Sequence, residues 1–188
     1  RVLASSSLLF YLGFNKKLNN LAHHNLFFDT DFNLHSKEIY KDPKWPSEPL
    51  FYANFTSITN EHTAPKGCEN GFILIPLAPG LKDTQELRDK YFDIVMDRIE
   101  SITDQKIKES IIYKKSFCVS DFIDEYNSYK GNAYGLANTL LQTSFLRPKL
   151  KSKLVKNMYF TGQLSVPGPG VPPAIVSGKL VADLINNK

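Results

Sequence analysis

A mixed α/β fold, of the α+β kind and without the strict strand–helix–strand rhythm of a parallel doubly wound sheet, is what this sequence predicts. Three observations carry it. Short apolar and aromatic runs are interspersed with stretches of helical spacing in no regular order. Proline- and glycine-marked turns separate them. With 188 residues, 42% of them hydrophobic, the chain can bury a proper core, as one domain or as parts of two.

In order along the chain, Leu8–Phe14 and Leu21–Phe28 (LAHHNLFF) read as strands. The polar stretch Asp29–Pro49 carries Pro43, Pro46 and Pro49, which fits a loop with one short helix better than a central strand. Leu50–Thr56 is a third strand, Ser57–Asn70 a turn region with Pro65 and Gly67, and Phe72–Leu77 (FILIPL) a buried fourth strand. A helix follows from Asp83. Asp83 and Glu86 have capping-box spacing, and Leu87, Tyr91, Ile94, Val95 and Ile99 form one apolar face. Ile111–Phe117 is a strand, Asp121–Tyr126 a helical turn, and the stretch from Gly131 (GNAYGLANTLLQ) a glycine-broken loop with a short helical piece. Met158–Thr161 is expected as a short strand and Ala174–Ile185 as the last helix. The chain opens directly in strand-like sequence (RVLASSSLLFYLGF), without Met or a signal peptide, and is therefore expected to lack an earlier part.

A net charge of +4 favours mild attraction to anionic membrane surfaces and is too diffuse to argue for nucleic acid. No apolar run is long enough to span a bilayer. Cys68 and Cys118 stand alone and read as reduced thiols in a cytosolic protein. No metal site is expected. Adjacent His23 and His24 should point to opposite faces of a strand, which suits structural histidines. Asp29, Asp31 and Asn33 imitate a calcium loop, but Leu34 and Tyr40 stand where its glycine and glutamate are needed. Asp121, Asp124 and Glu125 fit a solvated helix face, and Ser5–Ser7 has no nucleophile-elbow context.

The most informative stretch is FTGQLSVPGPGVPPAIVSGKLVADL, Phe160–Leu184. Pro172 and Pro173 suit a helix first turn, whose N–H groups lack intrahelical partners. Gly168 and Gly170 would let bare backbone approach a flat ring, and Ser177 and Gly178 would let the helix pack closely. The stretch reads either as a rigid strand–helix connector or as a ligand-facing turn. It is not GxGxxG, so it is no dinucleotide phosphate loop.

NMYFTGQLSVPGPGVPPAIVSGKLVADL resembles the carboxyl-terminal flavin-binding signature of carotenoid desaturases of the bacterial phytoene desaturase type. The segments HHNLFF (His23–Phe28), EHTAPKGCENGFILIPLAP (Glu61–Pro79) and DFIDEYNSYKGNAYGLANTLLQTSFLRP (Asp121–Pro148) are similar to the same family in the same order. The resemblance implies a two-domain FAD-dependent oxidoreductase. Residues 1–148 would be the later part of a mostly antiparallel substrate domain, and 149–188 the return to the FAD domain. Gly162 and Gln163 would lie beside the FAD ribityl chain, and Pro167, Gly168, Pro169 and Gly170 along the isoalloxazine. Val171, followed by Pro172, would offer its N–H to the pyrimidine edge. Many relatives have Thr-His where this chain has Ser165–Val166, so no imidazole is available there, and many have Ala at Gln163.

The implied reaction is desaturation of an acyclic carotenoid by hydride transfer to FAD, with oxygen or a quinone as the final electron acceptor. No general base is assigned. The implied location is cytoplasmic, peripheral at the inner membrane. Phe10, Tyr11, Phe27, Phe28 and Tyr134 are candidates to line a hydrocarbon tunnel, or equally to pack a core. The alternatives are a redox-neutral isomerase, a saturase, or a non-catalytic carotenoid- or lipid-binding module on the same scaffold.

Overall fold

The computed structural model describes residues 1–187 and divides into two compact units. One runs from Ser6 to Gly131. The other joins Arg1–Ser5 to the chain from Asn132 onward.

The first unit is built on a five-stranded sheet. Its strands are β1 (Ser6–Phe14), β2 (His24–Phe27), β3 (Phe51–Asn54), β4 (Glu69–Leu77) and β5 (Ile111–Phe117), in the order β2-β3-β4-β1-β5. Every pairing is antiparallel. β1 and β4 face each other over nine residues each, from Ser6↔Leu77 to Phe14↔Glu69. Because strand side chains alternate, one face collects Phe10, Ala53 and Ile73, all but sealed from solvent. A helix, α2 (Gln85–Thr103), supplies Tyr91, Phe92, Val95, Met96 and Ile99 to the same core, at the three- and four-residue intervals that keep them on one side. Phe10 meets Phe92 edge to face at 5.3 Å. Each such fully buried side chain contributes roughly 1.5–3 kcal/mol.

The start of α2 corrects the sequence expectation. Thr84, extended and accepting from Leu87 N, caps the helix in place of Asp83. The Asp83 carboxylate is drawn away by Arg88 Nη2 (3.1 Å) and by Ser120, whose backbone N and Oγ lie at 3.0 and 2.8 Å. Arg88 also pairs with Asp121 at 2.8 Å, so Asp121 ties α3 (Val119–Tyr126) to α2 and is no free acid. Another helix, α1 (Phe32–Tyr40), fills the proline-marked loop. Asp31, part of the imitation calcium loop, caps it by accepting from Asn33 N. His23 lies outside the β2 ladder, so its ring sits 4.2 Å from that of His24, contrary to the opposed faces expected. Each ring bonds a hydroxyl, Thr59 for His23 and Tyr52 for His24. Among the described residues no group of three or more His, Cys, Asp or Glu is placed to hold a metal, and both cysteines are free.

Buried His35 gives a pH prediction. Leu50 N–H donates to its Nδ1 (3.0 Å), so Nε2 carries the proton and donates to Pro76 O (2.9 Å). Burial pushes its pKa below the usual 6.5, against smaller opposing pulls from the Pro76 carbonyl and Glu38. Folded His35 therefore resists protonation. Its contribution is full above pH 6.5 and is lost as the pH falls through the depressed pKa. In thermal melts the wild type should lose Tm between pH 6.5 and 4.5, before carboxylates titrate, at roughly 2–4 °C per kcal/mol. His35→Gln should be flat in that window. Equal slopes would remove His35 from the account.

The second unit contains α4 (Val171–Asn186) and otherwise short turns. Met158–Thr161 is not a strand. It makes an isolated bridge, Lys151↔Tyr159, with Phe160 N bonded to Leu150 O at 2.7 Å, and among the described residues of this unit no further segment pairs with it. The helical piece after Gly131 reduces to two three-residue turns, Leu140–Gln142 and Ser144–Leu146. Residues 132–148 pack with this unit. The links are Leu3↔Leu136, a pair of hydrogen bonds between Val2 and Gln142, and the Arg147 guanidinium.

Candidate functional site

The Phe160–Leu184 stretch forms a turn of nearly bare backbone ending on a helix. Gly162, Gly168 and Gly170 all have positive φ, at 96°, 139° and 111°. At all three, a side chain would be strained whatever the space around it. Val166–Pro167 is a cis peptide. Gly170 is the N-cap and offers no side chain to the helix start. Of the first turn, Pro172 and Pro173 have no N–H, and Ala174 N donates to Gly170 O at 3.0 Å. The orphan donor is the Val171 N–H, on a residue 74% exposed at the positive end of the helix dipole.

Three side chains hold the turn from behind. Ser177 Oγ accepts from Gly162 N (2.7 Å) and donates to Ala174 O (2.6 Å). Ser165 Oγ donates to Gly162 O at 3.0 Å. Arg147, only 3% exposed, donates to Gln163 O (3.1 Å), Leu136 O (3.3 Å), Gln142 O (3.2 Å) and Asn138 Oδ1 (2.8 Å). A Cβ on Gly168 would sit 3.3 Å from its guanidinium carbon. Burial, with the Arg1 charge nearby, lowers the Arg147 pKa. Sequence reasoning found the turn and Ser177 but missed Arg147, whose one signal was a cation between Leu146 and Pro148.

The tunnel-lining candidates scatter. Phe10 and Phe27 are core residues. Phe27 and Phe28 also line an open pocket of about 480 Å³ with Leu26 and Ile102. Tyr11 is on the opposite sheet face from Phe10, 41% exposed, and Tyr134 belongs to the other unit. That opposite face carries a row running across all five strands, Leu26–Tyr52–Leu74–Leu9–Phe117. Beside it Tyr11 and Phe72 meet at 5.3 Å. It is an apolar, aromatic face.

No protein-family model matches the chain. Among curated proteins, it is 41% identical over 182 residues, 97% of its own length, to a carotenoid 3,4-desaturase of Haloarcula japonica. It is 33% identical over 186 residues (95%) to the 4,4'-diapophytoene desaturase (4,4'-diaponeurosporene-forming) of Staphylococcus haemolyticus. It is likewise 33% identical over 187 residues (97%) to a 4,4'-diaponeurosporene oxygenase of Staphylococcus aureus. The chain belongs to the carotenoid desaturase family. It spans 37% of the length of each of these relatives.

The flavin that the resemblance implies makes two demands on this desaturase-family chain. Backbone must lie bare enough for a flat ring, and a donor must face the ring's electron-rich edge. The residues present fit both, through the positive-φ glycines and the orphan Val171 N–H. No side chain of Gly162 to Val171 is acidic or basic, so the positive potential comes from the helix end and from Arg147 behind Gly168.

Proposed function

We propose that this chain supplies the later substrate-domain residues (1–148) and the flavin-facing return (149–188) of an FAD-dependent desaturase of acyclic carotenoids. The observation that supports it most is the bare turn from Gly162 to Val171, with one orphan N–H at its end, in a chain related along its length to carotenoid desaturases. Bound there, FAD would supply a two-electron acceptor for hydride removed from an allylic carbon. Gly162 and Gln163 would hold its ribityl side. Pro167, Gly168, Pro169 and Gly170 would offer the flavin bare backbone and keep water from it, and Pro172 fixes the helix start. The Val171 N–H would donate toward the flavin's pyrimidine edge, where negative charge gathers on reduction. The apolar sheet face around Leu26, Tyr52, Leu74, Tyr11 and Phe72 forms one wall for the hydrocarbon. The polyene delocalises developing positive charge, so the proton lost from the neighbouring carbon needs no strong side-chain base. Oxygen or a membrane quinone takes the electrons onward.

The test uses the complete flavoprotein containing this chain, mixed anaerobically with an acyclic carotenoid in liposomes, with flavin and polyene absorbance followed together. Flavin bleaching matched by a lengthened polyene is expected. An oxidised flavin with an unlengthened polyene rejects desaturation of that substrate, and shifted double bonds without new ones indicate an isomerase. The oxygenase among the relatives motivates a second reading. In that case product mass rises by oxygen once air is admitted.

A further inference from the structure

We propose that Arg147 raises the reduction potential of the flavin, as a cation without a counter-ion held against the back of the turn at Gly168. Buried charges are ordinarily paired, because an unpaired one is costly. Arg147 is 3% exposed, yet its Nη groups are spent on neutral oxygens. Nη1 donates to Asn138 Oδ1 and Gln142 O, and Nη2 to Leu136 O and Gln163 O. Its Nε has no hydrogen-bond partner. Among the described residues no carboxylate pairs with it, and from Asn127 to Ala182 the sequence has no Asp or Glu. Burial, and then the like charge of Arg1, works against its protonation. An arginine stays charged all the same. So deep a guanidinium also leaves a carboxylate from elsewhere in the protein little surface to meet. A residue that only bracketed carbonyls would do so at less cost with an acid beside it.

The charge sits where a flavin would feel it. A Cβ on Gly168 would lie 3.3 Å from the guanidinium carbon and 3.4 Å from Nε, so the cation packs on the bare backbone of the turn itself. This role presupposes that a flavin lies along that turn. Hydride transfer breaks an allylic C–H bond and carries both its electrons to the flavin, which gains one negative charge. The carbon left positive regains neutrality when a proton leaves its neighbour for water and the new double bond forms. A fixed cation therefore favours the reduced flavin over the oxidised one, the more so in a site of low dielectric. The Val171 N–H adds only the partial charge of a helix end.

The test uses the complete flavoprotein containing this chain and no carotenoid. Its potential is measured against a reference dye, and its affinity for sulfite, which adds to flavin as an anion, by flavin bleaching. Arg147→Gln should weaken sulfite binding about tenfold and lower the potential by the matching ~30 mV. Arg147→Lys should keep both near wild type even though it loosens the turn. Asn138→Asp is the sharper variant. It keeps the acceptor that Nη1 uses at 2.8 Å and supplies the missing counter-charge. Sulfite affinity should fall at least about threefold, with the potential, while amide exchange around Gly162 stays that of the wild type. A residue that only shapes the turn predicts the reverse, with Asn138→Asp silent and Arg147→Lys damaging. If Arg147→Gln sheds its flavin, Asn138→Asp decides. A potential indifferent to Asn138→Asp overturns this role alone, whereas a complete protein without FAD rejects the flavin reading and this role with it.

Discussion

Asp83→Ala is expected to destabilise the Ser6–Gly131 unit by about 1–3 kcal/mol, the cost of leaving buried donors unpaired, since Arg88 keeps Asp121 as a counter-charge. The Asp83 side chain is 3% exposed and that of Arg88 11%. The carboxylate accepts from Arg88 at 3.1 and 3.2 Å and from Ser120 twice, so it joins the start of α2 to the start of α3. Removing it leaves Arg88 with Asp121 as its carboxylate partner, beside the Ser116 and Ser120 hydroxyls, and leaves the Ser120 N–H facing an empty site. Burial pushes the Asp83 pKa up, but the Ser120, Cys118 and Arg88 hydrogen bonds outweigh burial and hold it below the usual 3.8. A depressed carboxylate stabilises above its unfolded pKa and loses that contribution as the pH falls through the folded one. The gap between wild type and variant should therefore be full at neutral pH and close below pH 3.8. Urea unfolding can be followed by the single tryptophan, Trp45, which packs on Tyr91 of α2 at 4.8 Å. A loss under about 1 kcal/mol at neutral pH would mean that the ion pair is dispensable.

Arg147→Ala is expected to melt the turn locally. It removes the donors to three backbone carbonyls and the Asn138 side chain, which bring the Leu136–Gln142 segment and Gln163 together. Each unsatisfied buried acceptor costs about 1–3 kcal/mol. Arg147→Lys should rescue little, because one ammonium cannot reach the acceptors that a guanidinium fork spans. Amide hydrogen exchange is the discriminating measurement. Protection should drop around Gly162 and along the first turns of α4, where Ser177 and Gly162 hold one another, while β1 and β4 keep theirs. In the complete flavoprotein the same variant should release FAD more readily. Unchanged exchange around Gly162 would show that the turn holds its shape without the arginine.

The sheet was legible because its signals are local. The apolar runs FILIPL and Leu8–Phe14 each name a strand, and the structure extends them only to Glu69–Leu77 and Ser6–Phe14. The apolar face of α2 was readable from Tyr91, Val95 and Ile99 for the same reason. What failed depended on partners far away in sequence. Asp83 has the right spacing for a cap, but Ser120 lies 37 residues on and wins its carboxylate. Met158–Thr161 has strand composition, yet a strand needs a neighbour, and only Lys151 offers one bridge. The glycines and prolines of the turn were visible because they encode backbone geometry directly. Arg147 was not, because its role is set by which carbonyls converge on it. Sequence likewise gave Phe10 and Tyr11 as a pair, whereas adjacency on a strand puts them on opposite faces.

The sheet order leaves β2 and β5 as its outer strands, and the two avoid self-association in different ways. An outer strand is a row of unpaired donors and acceptors that a second molecule can extend into an aggregate. Four residues, as in β2, give such a growth front little length. β5 is longer and exposes Ile112 and Tyr113, a sticky pair, but Lys114 and Lys115 follow them directly. Lys114 is held by Asp89 of α2 at 2.8 Å, so Lys115, in no ion pair among the described residues, is the charge that a copy stacking there must bury. A lysine beside the sticky pair discourages growth at this edge.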